Sequence, residues 1–182
     1  MNTVSWIVIG IVVLAVILLL AVMLRRRSRI NLQERFGPEY DREVEARGSE
    51  RDAERHLRDV ANRRDKLDIR QLDATARDRY TQRWEAVQSD FVDQPGRALD
   101  EADRLVTDVM KDRGYPVQNF NERAELVAAD HPQVVEHYRA AHAARQRHTP
   151  SHDGAGEGAD TEELRQAFVH YRALFDELVH DR

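Results

Sequence analysis

Cysteine is absent from all 182 residues. That removes disulfides, thiolate nucleophiles and cysteine-ligated metal sites together. Asn-x-Ser/Thr acceptor sites are absent as well. Strand signals are scarce. Isoleucine occurs once beyond the first thirty residues, at Ile69, and no alternating Val/Thr/Tyr run reaches five residues, which excludes an extended sheet. Gly154, Gly156 and Gly158 recur at every second position. They lack a preceding strand, the GxGxxG spacing and a following Lys-Ser/Thr, so they do not make a nucleotide loop. Neither a DxDxDG calcium loop nor a G-x-S-x-G nucleophile elbow occurs.

Positive charge is also unevenly supplied. Met1 to Ser5 holds no Lys or Arg, whereas Arg25, Arg26, Arg27 and Arg29 stand together. With those four set aside, 24 cationic side chains face 33 acidic ones, a balance of −9. Such a surface is a poor general binder of nucleic acid or anionic lipid.

What is present begins with Trp6 to Leu24, a run without charge in which fourteen of nineteen residues are Leu, Ile or Val. As a helix it is roughly 28 Å long, close to the ~30 Å of a bilayer core. The reading is a transmembrane anchor, with Trp6, Leu14, Leu19 and Leu24 in the bilayer and Arg25, Arg26, Arg27 and Arg29 at its anionic headgroups. A cleaved signal peptide fits less well, because the run is too long and no basic segment precedes it. The positive-inside rule then predicts a single-pass plasma-membrane protein with its N-terminus outside and its C-terminal domain in the cytoplasm.

Helical periodicity dominates the remainder. Ala76, Tyr80, Trp84, Val87 and Phe91 share one face, and Asp93-Gln94-Pro95-Gly96 breaks and restarts the helix. Ala98, Leu99, Ala102, Leu105, Val106, Val109 and Met110 form the next stripe, which Gly114 and Pro116 end. Asn121 is placed as the cap of a short helix through Asp130, and another helix follows His131-Pro132 to about Arg147. Asp160 and Glu163 form a capping box for a last helix striped with Leu164, Phe168, Tyr171, Phe175 and Leu178. The predicted fold is all-α: one transmembrane helix followed by a slender antiparallel helical bundle. Its parts are the anchor (1–29), a polar helical stalk (30–67), the bundle (68–147), a Gly-rich linker (148–160) and a C-terminal amphipathic helix (161–182) docking on the bundle. Arg64 stands out in the stalk, because it interrupts the weak stripe of Ala53, Leu57, Val60 and Leu67.

Histidine is the residue best suited to chemistry, because it titrates near neutrality. His131, His137 and His142 fall in one region beside Asp130 and Glu136. A helical metal site needs ligands at i and i+3 or i+4; His137 and His142 are five apart and diverge. No metal, cofactor or catalytic residue is therefore assigned. The loop Gly114-Tyr115-Pro116-Val117-Gln118-Asn119-Phe120 sets two aromatics beside a rigid Pro. The first reading is a turn in which Tyr115 and Phe120 staple neighbouring helices; in the functional alternative they form a candidate ledge for a protein partner, with Phe168, Tyr171 and Phe175 of the last helix as the matching face.

Several stretches carry a likeness beyond periodicity. These are Leu32–Tyr40, Phe91-Val92-Asp93, Arg113-Gly114-Tyr115-Pro116-Val117, Asp130-His131-Pro132 and His170–Leu178. In them the chain resembles an uncharacterised family of small bacterial single-pass membrane proteins, often labelled hypothetical or secreted. The resemblance implies a membrane-bound helical protein and supplies no catalytic residues. The resulting expectation is a membrane-tethered helical adaptor or scaffold, not an enzyme, that binds an unidentified protein partner near the inner leaflet. The alternatives are an envelope-side structural protein, or a hydrolase-like enzyme using the His131/His137/His142 region.

Overall fold

A computed structural model describes residues 29–148 and 161–180, together with Leu14, Val16, Ile17, Leu19, Leu20 and Met23. Among the described residues all regular structure is helical. None of these helices is long and apolar enough to cross a membrane. A crossing needs about 20 consecutive apolar residues, so the placement as a single-pass plasma-membrane protein, N-terminus outside, is corrected: the described helices do not supply a span. Most of Trp6–Leu24 and the arginines Arg25, Arg26 and Arg27 lie outside the described residues, as does Asp160.

The chain divides into two compact units, Met1–Leu57 and Arg58–Arg182. In the first, a helical segment over 29–36 leads into α1 (Pro38–Arg47), which ends at Gly48 before α2 (Glu50–Asp65) begins. Leu32, Phe36, Tyr40, Ala53 and Leu57 are buried here. So are three carboxylates, each with a cationic or hydroxyl neighbour. Glu39 takes a forked pair of bonds from Arg42, Glu43 binds Arg47, and Glu54 accepts from the Tyr40 hydroxyl at 3.5 Å. The stalk's dense charge is thus partly internal, which its polarity does not announce.

The second unit contains α3 (Ala74–Asp90), α4 (Pro95–Arg113), α5 (Phe120–Asp130), α6 (Pro132–His148) and α7 (Thr161–His180). Helix α7 packs on α6, α4 and α3, while α4 also packs on α3 and α6, and α5 lies on α6. Residue pairs give the directions. Arg83 meets Asp108 and Arg79 meets Asp112, so α3 and α4 are antiparallel. Arg147 meets Glu163, and Gln133 meets Glu177, so α6 and α7 are antiparallel too. Tyr171 meets Asp103 and Leu178 meets Arg113, so α4 and α7 run the same way. A helical bundle results, with Leu99, Leu105, Val106, Met110, Tyr138, Tyr171, Leu174 and Phe175 essentially closed to solvent.

Local chemistry fixes the ends. Asp73 caps α3 by accepting the Ala76 amide at 2.7 Å. Pro95 sits in the first turn of α4. At its other end Gly114 adopts φ +102°, and the Tyr115 amide reaches back to the Met110 carbonyl at 2.9 Å. That is the left-handed stop glycine permits. The short helix starts earlier than the sequence suggests. Its cap is Asn119, whose Oδ1 accepts from the amides of Asn121 and Glu122, and Phe120 becomes its first residue. Asn119 precedes an aromatic and so gives a weaker sequence signal than Asn121, which precedes Glu122 and Arg123. Arg64 finds a partner: its Nε lies 2.5 and 2.7 Å from the two oxygens of Asp130, which also accepts from the Tyr115 hydroxyl at 2.6 Å.

Candidate functional site

The aromatic residues expected to face a partner divide sharply. Phe168, Tyr171 and Phe175 are 7 %, 0 % and 2 % exposed. Phe168 and Phe175 sandwich the Trp84 ring at centroid distances of 5.1 and 4.7 Å, and Phe91 lies 4.7 Å from Phe168. Tyr171 donates to Asp103 at 2.9 Å inside the bundle. Tyr115 is buried against Asp130, and burial followed by that carboxylate drives its phenol well above the ordinary value. These four side chains are occupied internally.

Phe120 is different. It is only half-buried and edges a surface hollow of about 540 Å³ lined by Gln118, Asn119, Asn121, Arg139, His142 and Gln146. Its ring stacks on the His142 imidazole, with centroids 3.5 Å apart and planes 7° from parallel. The other ring nitrogen arrangement is set by neighbours: His142 Nε2 is 2.9 Å from the Gln146 amide nitrogen, and Nδ1 faces Asp103 Oδ1 at 3.9 Å. Position explains the exposure. Phe120 opens α5, so the 114–119 loop delivers it to the rim rather than to the bundle axis.

Beneath this groove runs a buried polar cluster. Asp103 is 9 % exposed on α4 and receives the Tyr171 hydroxyl; Arg145 Nε lies 3.6 Å from it, while Arg145 Nη1 donates to Asp100 at 3.1 Å. Burial alone would raise the Asp103 carboxyl, but His142, Arg145 and Tyr171 outweigh it and hold the group below the usual carboxylate value. Burial first, and Asp103 second, push the Tyr171 phenol strongly up. Thr107 donates to the Asp103 carbonyl at 2.8 Å and accepts from Arg123 at 2.6 Å. Tyr138 is fully buried, and its ring lies 4.9 Å from Phe120.

The three histidines of the sequence reading do not converge. His131 is buried at the α5–α6 junction, with Nδ1 3.0 Å from Glu177. His137 is exposed and stacks on His170 of α7, with centroids 4.6 Å apart. Only His142 belongs to the groove. Among the described residues no group of three or more His, Asp or Glu side chains is arranged to hold a metal. A second hollow, about 470 Å³, lies between Arg70, Asp73, Arg79 and Asp112. Its charges are already engaged: Asp73 caps α3, while Asp112 takes Arg79 at 3.0 Å and Tyr80 at 2.6 Å, and burial with that carboxylate lifts the Tyr80 phenol to about 12.

Asp103, Arg123, Tyr138 and Gln146 are members of the site that sequence reasoning did not single out. Asp103 had a signal, since it lies four residues after Leu99 and three before Val106 on an otherwise apolar face. Arg123 had the same one, with Leu126 and Val127 three and four residues on. Set against known proteins, the chain matches no protein-family model, no curated protein and no solved structure.

Proposed function

We propose that the unit from Arg58 onward is a helical protein-binding module, an adaptor or scaffold, that takes a segment of a partner protein into the groove beside Phe120 and His142. The observation that carries this reading is the groove's lining. Gln118, Asn121 and Gln146 are exposed amides around the flat Phe120–His142 stack. Each amide offers both a donor and an acceptor, the complement of a peptide backbone, and the Phe120 and His142 rings, stacked or parted, add non-directional contact.

Acid–base catalysis by His142 is the second reading, favoured by the 3.9 Å approach of its Nδ1 to Asp103. The groove gives that arrangement little to act with. What stands at His142 Nε2 is the Gln146 amide rather than a nucleophile.

Selection of random peptides on the full chain tests the proposal. An enriched consensus that binds the wild type and loses about tenfold or more in affinity with Asn121→Ala plus Gln146→Ala supports it. No consensus, or binding indifferent to both substitutions, contradicts it.

A further inference from the structure

Among the described residues Arg123 carries its charge without a matching anion. It is 7 % exposed, and its guanidinium meets the Thr107 hydroxyl at 2.6 Å and the face of the Phe120 ring at 5.9 Å. Its Nε has no hydrogen-bond partner among the described residues. The Tyr138 hydroxyl, on a fully buried residue, has none either. The Arg123 guanidinium and the Tyr138 ring both lie against the ring of Phe120, at 5.9 and 4.9 Å from its centroid. They also sense each other: burial drives the Tyr138 phenol up, and Arg123 is the largest influence opposing it.

A buried cation is strongly unfavourable without a counter-charge, and a buried hydroxyl without an acceptor adds to the penalty. Asp103 does not supply the missing charge, because Tyr171 and Arg145 already occupy it. One ligand group meets both needs. A carboxylate is an acceptor with two oxygens and a single negative charge, and it is planar like the guanidinium. Phosphate brings more charge to desolvate in the same space. Phe120 controls access. As the first residue of α5 and a half-buried one, it can turn outward about χ1 while the helix behind it stays in place.

Resting on the binding-groove reading, we propose that Phe120 is a displaceable plug over a carboxylate site, and that a ligand's carboxylate takes its place against Arg123 Nε and the Tyr138 hydroxyl. The groove then selects partner segments that carry an acidic side chain or a free C-terminus.

The test is an NMR titration of the full chain, labelled at arginine Nε, with sodium acetate, acetamide and inorganic phosphate. Acetate is expected to move the Arg123 Nε–H resonance saturably and to abolish the ring contact between Phe120 and His142. Acetamide is expected to do neither. Arg123→Met should weaken acetate binding about tenfold or more, and Phe120→Ala should tighten it, with Phe120→Leu giving the same direction if the alanine variant does not fold. N-acetylalanine and N-acetylglutamate amide separate a terminal carboxylate from an acidic side chain as the source. An Arg123 resonance indifferent to acetate, a stronger response to phosphate, or unchanged acetate binding by Arg123→Met would overturn the proposal. Selected peptides that depend on Asn121 and Gln146 yet bind equally well when every carboxylate is neutralised would also overturn it while leaving the groove reading intact. Acetate binding with no peptide selected would do the reverse.

Discussion

At the scale of single residues, the bundle rests on a few large side chains with specific neighbours. Trp84 is 3 % exposed and lies between Phe168 and Phe175. Trp84→Ala is expected to cost about 3–5 kcal/mol, the usual range for emptying an aromatic site in a packed core; urea unfolding followed by circular dichroism measures it. A loss under about 1 kcal/mol would mean the site collapses freely or is not packed this way. His170 gives a pH dependence of known sign. Burial, and then the His137 ring stacked on it, hold its imidazole below the ordinary value of 6.5. The unfolded chain therefore takes up a proton that the folded chain refuses. Stability falls as pH drops through about 6.5 and the loss is complete below the folded-state value. His170→Gln should flatten that segment of the urea-midpoint profile between pH 5 and 8, and an unchanged profile would remove His170 as its source.

At the scale of elements, the stops and starts were legible wherever backbone chemistry alone decides them. Pro95 and Gly114 mark the two ends of α4 because one has no amide hydrogen to lose and the other tolerates φ +102°. Gly114→Ala joins two penalties there. The backbone conformation is strained for an L side chain, and the added Cβ would stand 2.5 Å from the Asp68 carbonyl oxygen. A destabilisation of about 1–3 kcal/mol is expected from the melting curve, and a neutral result would show that the 68–70 segment yields. The stripes of α3, α4 and α7 were equally legible, since period alone identifies a buried face. Which stripe meets which was not. Periodicity shows that Phe168, Tyr171 and Phe175 share a face but not that Trp84 and Asp103 already occupy it. A face that reads as a docking surface in sequence is, in the fold, the inside of α7.

At the scale of the whole molecule, the composition excluded sheets and cysteine chemistry, and helical spacing gave an all-helical fold. The membrane placement rested on Trp6–Leu24 and is not supported by any described helix. The site was legible at Phe120 and His142. Its remaining members come from three helices and meet through tertiary packing: Asp103 on α4, Arg123 on α5, and Tyr138 and Gln146 on α6. Their sequence trace is a charge inside an apolar stripe, seen at Asp103 and again at Arg123. Among the described residues Asp103 is neutralised and Arg123 is not, and that asymmetry separates a structural polar cluster from a binding site.

The thermal midpoint of the full chain and of Arg123→Met, each in sodium acetate and in sodium chloride at matched ionic strength, tests this distinction most directly. If Arg123 awaits a ligand carboxylate, removing its uncompensated charge leaves the chloride midpoint unchanged or raises it, and acetate raises the midpoint of the wild type alone. A chloride midpoint that falls by several degrees on substitution, with acetate acting equally on both chains, would make Arg123 a purely structural residue and contradict the account.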